Sequence, residues 1–281
     1  MRIVTLLLFA MSAWAADGQR IISTAPSITE TLFAMGLGPR VVGDTIYCNF
    51  PEAAAKLPKI GTLLKPDPEA IVALRPDLVV VQKQPNNLPQ QLDRLHIKYI
   101  VMDTSNLDMI YAGARAVGKV TGESAGAERL VDKMQSELQS LAALTSVLPK
   151  PTVAFIVGHT AGRLEGMVAG SSTSYFSDLL NAAGGVNVFS DVTAPYPKIS
   201  LEQILSRDPD VILEMSGDTR PKQEEVLALW QTLPRLKAVA AKRVFAIPSA
   251  PIVVPGPRAP EAARLVARLL HPEIKLPEPP K

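Results

Sequence analysis

Residues 67–79 read Asp-Pro-Glu-Ala-Ile-Val-Ala-Leu-Arg-Pro-Asp-Leu-Val, and residues 200–212 read Ser-Leu-Glu-Gln-Ile-Leu-Ser-Arg-Asp-Pro-Asp-Val-Ile. The two stretches align without a gap at an offset of 133 positions. Each opens on a residue suited to cap a helix start, Asp67 or Ser200, whose side-chain oxygen can satisfy free backbone N–H groups. A glutamate follows two positions on (Glu69, Glu202), then an isoleucine (Ile71, Ile204). Pro76-Asp77 and Pro209-Asp210 then close the helix ahead of a β-branched strand. One plan used twice predicts two lobes of like construction.

Working outward from the repeat, strands alternate with helices. Strands are predicted at 20–24, 41–42, 77–81 and 98–102, with helices at 28–35, 68–74, 88–95 and 111–117. The second half continues with strands at 152–157, 211–215 and 243–247 and helices at 175–182, 201–206, 223–229 and 260–270. Such alternation argues α/β architecture with mostly parallel sheets covered on both faces. Between the halves, Leu130, Met134, Leu138, Leu141 and Leu148 fall on one helical face, and no proline intervenes before Pro149. One helix over 123–148 fits, ~39 Å long at 1.5 Å per residue. It divides an N-terminal lobe (16–122) from a C-terminal lobe (149–281).

Composition narrows the function. Of 281 residues, 47% are hydrophobic and 20% charged, which excludes disordered, collagen-like and disulfide-scaffold proteins. Twenty-nine basic against 27 acidic residues give a net charge of +2 with no long run of either sign, which argues against a nucleic-acid partner. Three histidines and the single Cys48 are too few for structural zinc, iron–sulfur clusters or disulfides. Residues 1–15 combine the basic Arg2, an apolar run over 3–11 and the small-x-small site Ala13-Trp14-Ala15. This is the pattern of a secretory signal peptide, so the mature chain is expected to begin near Ala16, exported and soluble. The run is far shorter than the ~20 residues that span a bilayer.

Several motifs, in order along the mature chain, resemble the periplasmic substrate-binding proteins of ABC importers. They are the stretch from Pro26 to Gly36, the 69–79 segment, Gly184-Gly185-Val186-Asn187-Val188-Phe189, the stretch from Ala194 to Ile204, and Gly256-Pro257-Arg258. Within these proteins the chain is similar to the helical-backbone class that serves cobalamin, haem and ferric siderophores, and to its cobalamin-binding subgroup above the others. The resemblance implies two Rossmann-like lobes joined by a single long rigid helix, with ligand held in the cleft between them. It implies a periplasmic, monomeric protein that hands cobalamin or a related corrinoid to a membrane permease and its ATPase. The alternative within the class is haem or a ferric siderophore.

The resemblance also assigns residues. Glu69 and Glu202 match the glutamates that meet permease arginines; from spacing alone, favourable placement in a first helical turn explains them equally well. The cleft of such a fold is lined by loops at the carboxyl ends of the strands. Candidate ligand residues are Pro26, Ser27, Tyr47, Phe50, Leu63, Gln82, Met167, Tyr196 and Ser249, with Lys83, Ser171 and Ser172 in the same segments. Tyr196 stands where cobalamin binders carry a tryptophan between prolines, whereas Leu63 and Gln82 replace two further tryptophans of that subgroup. Tyr47 or Tyr196 would serve as an axial ligand if the cargo were haem. No catalytic residue, resident cofactor or metal site is expected. The chain has no G-x-S-x-G elbow and no phosphate loop, so it reads as a binder rather than an enzyme, with an exported hydrolase as the rival.

Overall fold

The computed structural model describes residues 19–84, 86–216, 220–247, 251–274 and 276, with the side chains of residues 220 and 221 left aside. The expected signal sequence at 1–15, its cleavage point and Ser249 lie outside the described residues. The first half runs β1 (Ile21–Ser23), α1 (Pro26–Ala34), β2 (Val41–Gly43), α2 (Glu52–Ala55), α3 (Pro68–Ala73), β3 (Leu78–Gln82), α4 (Leu88–Arg94), β4 (Tyr99–Met102) and α5 (Leu107–Thr121). After α6 (Ser124–Thr145) come β5 (Thr152–Gly158), β6 (Met167–Ala169), α7 (Tyr175–Ala182), β7 (Val186–Asn187) and β8 (Lys198–Ile199). The chain continues with α8 (Leu201–Arg207), β9 (Val211–Met215), α9 (Arg220–Gln231), α10 (Lys237–Ala240), β10 (Val244–Ile247) and α11 (Ala259–Leu270).

Each half builds one sheet. The first has the order β2-β1-β3-β4, all parallel, and the second β10-β9-β5-β6-β8, with β7 alongside β5. The repeat occupies equivalent places in both. Asp67 accepts from the N–H groups of Glu69 and Ala70 at the start of α3, and Ser200 makes a reciprocal capping box with Gln203 at the start of α8. Arg75 and Asp208, 133 positions apart, are both left-handed, with φ of 46° and 41°, where each helix turns into its strand. Asp77 Oδ2 then accepts from the Arg20 N–H (2.7 Å) and Asp210 Oδ2 from the Thr152 N–H (2.9 Å). Each aspartate thus pins the entry of the neighbouring strand, β1 or β5. The Pro-Asp pair is structural in both lobes.

The second sheet departs from the all-parallel expectation, because β6 runs antiparallel to β5, and β8 antiparallel to β6. That extension carries Met167 into the interior. Its side chain is fully buried in the core with Phe189, Ile199 and Trp230, so it offers no surface to a ligand. The expected 123–148 helix is shorter at its C-terminal end. Its 22 residues span ~33 Å. It begins directly after α5, which stops at Gly122, whose φ of 75° favours a residue without Cβ. Its apolar stripe (Leu130, Val131, Met134, Leu138, Leu141) is buried, and it packs on α5, α7 and α11.

One hydrophobic cluster runs from Ile21 and Val80 in the first sheet, through this stripe, to Val153, Phe155 and Leu213 in the second. Both lobes therefore share a core along α6, which restricts hinge motion between them. No helix among the described residues is long and apolar enough to cross a membrane.

Candidate functional site

The carboxyl ends of the two sheets are stitched to each other. Glu30 on α1 pairs with Arg258, the residue capping α11, and Gly256 packs against the backbone of Ser27. Ser105, beyond β4, accepts from the Tyr175 N–H (2.6 Å), and Asp178 on α7 accepts from the Leu107 N–H (2.8 Å). The loops that follow β1, β3 and β4 thereby approach those that follow β6 and β10.

On the first lobe, Pro26 starts α1 and Ser27 lies buried beside it. The Ser27 hydroxyl donates to Gln82 Oε1 (3.1 Å), while the Gln82 N–H is held by Thr24 Oγ1 (2.9 Å). A hydroxyl and a carboxamide are thus fixed together at the ends of β1 and β3. Tyr47 and Phe50 stand on the loop between β2 and α2, 59% and 50% exposed, with Ile46 and Leu64 also uncovered. Large apolar side chains concentrated in one exposed region mark a contact surface. Leu63 is instead partly buried and packs on the shared core. The Arg258 guanidinium lies 4.4 Å from the Phe50 ring centroid, so one face of that ring already carries a cation.

On the second lobe, Tyr196 sits edge-on to Phe176, which stacks on Phe155. Its segment is laced to the loop before α7: Ser171 Oγ, Ser172 Oγ and Thr173 Oγ1 donate to the carbonyls of Ala194, Val192 and Thr193. The hydroxyls of Ser171 and Ser172 hold the Tyr196 segment in place. Burial pushes the Tyr196 phenol up to about 12, with Asp178 and Asp103 adding to the shift. A phenol in that state stays neutral at physiological pH, the wrong form for a tyrosinate ligand to ferric iron.

Charges near the strand ends are paired within the protein. Lys83 Nζ lies 2.7 Å from Asp103 Oδ2. Partial burial pushes the Asp103 carboxyl up, but hydrogen bonds from Lys83 and Ser105 outweigh it and hold it below the usual range. His159, just past β5, is not the solvent-satisfied loop residue that its position suggests. Its Nε2 is 2.7 Å from Glu214 Oε1 and its Nδ1 2.7 Å from the Thr160 carbonyl, while Trp230 Nε1 donates to Glu214 Oε2. Both ring nitrogens are committed. Cys48 is fully buried between the hydroxyls of Thr29 and Thr45. Among the described residues no group of three or more His, Cys, Asp and Glu side chains is arranged to hold a metal.

The most voluminous surface depressions lie elsewhere. Two of about 840 Å³ sit at the amino ends of the sheets, one bordered by Pro151, Asp210 and Arg243, the other by Leu78, His96 and Lys98. Neither borders a candidate ligand residue. Glu69 and Glu202 are exposed in the first turns of α3 and α8. The Ser200 hydroxyl and the Glu202 backbone hold the Glu202 carboxyl below its usual range. Sequence reading left Glu30, Arg258, Asp103 and Tyr175 without roles. Two of these lay inside recognised motifs, yet nothing in the sequence pairs Glu30 with a residue 228 positions away.

The family described as periplasmic binding protein matches residues 21–251. The vitamin B12-binding protein of Pectobacterium atrosepticum is 30% identical over 238 residues, covering 81% of this chain and 81% of that protein. The crystal structure of the periplasmic vitamin B12-binding protein of Vibrio cholerae superposes with a TM-score of 0.73 at 25% identity, covering 90% of this chain and 96% of the other. The periplasmic haem-binding protein of Roseiflexus sp. RS-1 shares the fold with a TM-score of 0.76 at 23% identity, over 91% and 98% of the two chains.

Proposed function

The chain belongs to the periplasmic binding protein family, and from that premise we propose that it captures cobalamin or a related corrinoid between its lobes and delivers it to an ABC importer. In this reading the chain is exported, cleaved near Ala15, and works as a soluble monomer that binds its solute without chemical turnover. Exposed Glu69 and Glu202, one per lobe, meet basic residues of the membrane subunit, which couples to its ATPase.

The observation that carries the choice of ligand is the pairing of charges at the strand ends. Lys83 is bound to Asp103, Arg258 to Glu30 and His159 to Glu214. Haem propionates or an anionic siderophore call for cations free to meet them, since unpaired burial of a charge is costly. What faces the ligand here is flat and neutral: the rings of Tyr47, Phe50 and Tyr196, and the Ser27 hydroxyl with the Gln82 carboxamide. A corrin ring rimmed with amides suits that surface, with apolar walls supplying area and a few polar groups fixing orientation.

Thermal-shift and calorimetric titrations with cyanocobalamin, dicyanocobinamide, haemin and a ferric catecholate siderophore test the reading. A ligand at about 100 times its Kd stabilises the folded state by about 2.7 kcal/mol, a shift that is easily read. Stabilisation by the corrinoids and not by haemin or the siderophore is expected. Stabilisation by haemin or the siderophore alone overturns the ligand, and consumption of a stabilising ligand overturns the assignment as a binder.

A further inference from the structure

The 44–51 loop carries two aromatics of the proposed ligand rim, Tyr47 and Phe50, and one ammonium group ties the loop together. Lys59 Nζ lies 2.7 Å from Asp44 Oδ1, 3.0 Å from the Ala54 carbonyl and 3.4 Å from the Cys48 carbonyl. An ammonium has three protons to donate, and acceptors at the start, middle and end of one segment take them. Backbone bonds fix the base of the loop: Asp44 N–H to the Pro58 carbonyl, Ile60 N–H to the Asp44 carbonyl and Ile46 N–H to the Gly61 carbonyl. Beyond Ile46, the rim leans on Lys59 and on the Cys48 thiol seated between Thr29 and Thr45.

The acid side of this clamp is sealed from water while its basic side is not. Asp44 is fully buried, whereas the Lys59 side chain keeps 27% of its exposure. Asp44 Oδ2 is buried and has no hydrogen-bond partner among the described residues. The titratable groups that face this carboxylate are Lys59 from the adjoining 58–61 segment and the Cys48 thiol from its own loop. Helix α1, packed on the loop, contributes the uncharged Thr29.

We propose that the Asp44–Lys59 pair is a proton-sensitive clamp on the ligand rim, with Lys59 as its positioning residue. With Asp44 protonated the rim is held shut; ionisation of Asp44 favours its opening. The proposal rests on the reading of Tyr47 and Phe50 as ligand wall. Burial pushes the Asp44 carboxyl up to about 6, against the opposing pull of Lys59. In an opened loop Asp44 meets water and returns to about 3.9. The proton therefore binds the closed loop more tightly than the open one. Closure is favoured below about pH 6 and weakens above it, by up to about 100-fold for a gap of about two pH units.

Hydrogen exchange over residues 44–55 of the ligand-free full chain, corrected for intrinsic rates, reads the clamp directly. From about pH 5 to about pH 7.5, exchange in the wild type is expected to quicken by about tenfold or more. Asp44→Asn should keep the slow, acid-like rate at both values. Lys59→Met should move the transition to higher pH, because the ionised carboxylate loses its only cation, and Lys59→Arg should restore it. Cyanocobalamin affinity should weaken with rising pH in the wild type and stay level in Asp44→Asn. Exchange that ignores pH in the wild type, or keeps its pH dependence in Asp44→Asn, overturns the clamp. Flat exchange with tight cyanocobalamin binding rejects the clamp alone; pH-dependent exchange without cyanocobalamin binding rejects the ligand alone.

Discussion

Arg258 and Glu30, 228 positions apart in the chain, form a two-armed ion pair at 2.6 and 2.9 Å that crosses from one lobe to the other. Glu30 is 4% exposed and the Arg258 side chain 18%. Burial pushes the Glu30 carboxyl up, and Arg258 pulls it back by hydrogen bonding and charge. Because Arg258 also lies over Phe50, one side chain joins α1, the rim loop and the start of α11.

Removing one partner of such a pair leaves a buried charge without compensation. Arg258→Met is therefore expected to cost about 3 kcal/mol or more of unfolding free energy at neutral pH. Glu30→Gln combined with Arg258→Met should recover a good part of that loss, since the orphaned charge goes with its partner. Urea denaturation of the wild type, both single variants and the double variant measures the coupling. A coupling near zero means that the shared core along α6, and not this pair, joins the lobes.

The two strand-pinning aspartates make a matched pair of predictions. Asp77→Asn and Asp210→Asn should each destabilise by about 1–2 kcal/mol, through loss of charge-assisted hydrogen bonds to backbone N–H groups. The effects should add, because the sites lie in different lobes. The pH dependence is specific to Asp210, whose carboxyl is held below its usual range by the Thr152 N–H, helped by the Thr152 hydroxyl. A lowered folded pKa gives stability that is present above the ordinary carboxyl value of about 3.9 and lost as pH falls through the folded value. The gap between wild type and Asp210→Asn should accordingly close below about pH 4. A gap that persists in acid contradicts the assignment.

The repeat made much of this architecture readable in advance. Capping residues, a proline stop and a β-branched run at equal spacing are local signals, and local signals placed α3, α8, β3 and β9. The α6 stripe was legible from its 3.6-residue period. What stayed hidden depends on distant partners. Met167 looked like a residue at a strand end, and only its pairing between β5 and β8 turns it into core. Ser171 and Ser172 looked free, and three carbonyls some 20 residues downstream employ that loop's hydroxyls. Lys83 and His159 read as available charges until the fold brought Asp103 and Glu214 to them. A single sequence carries no trace of such meetings, because no local preference encodes them.

Glu214 is the hub of a buried trio with His159 and Trp230. Truncating it to alanine strands the indole N–H and removes the partner of the imidazole. A loss of about 2–3 kcal/mol is expected, together with a shift in tryptophan emission. The sequence contains only two tryptophans, Trp14 and Trp230, and Trp14 falls in the segment expected to be removed on export. Emission of the mature protein then reports Trp230 alone. Glu214→Gln, which can still accept from the indole, should retain most of the emission but lose the charge facing His159. Unchanged emission and stability in Glu214→Ala would mean that the trio contributes nothing to the second lobe.

Glu69 and Glu202 separate two explanations that sequence spacing leaves equal. A first-turn acid favours its own helix whatever else it does, so a small stability effect decides nothing. Surface position and matched placement in the two lobes are what docking to a basic membrane subunit requires. Replacing both by lysine should abolish uptake in proteoliposomes containing the cognate importer while leaving cyanocobalamin affinity in solution unchanged. Each single reversal should impair transport less than the pair, since one lobe still docks. Undiminished uptake by the double variant refutes docking through these residues. A fall in solution affinity would instead place the glutamates at the ligand, contrary to their position in the first turns of helices that precede, and do not follow, the strands bearing the rim.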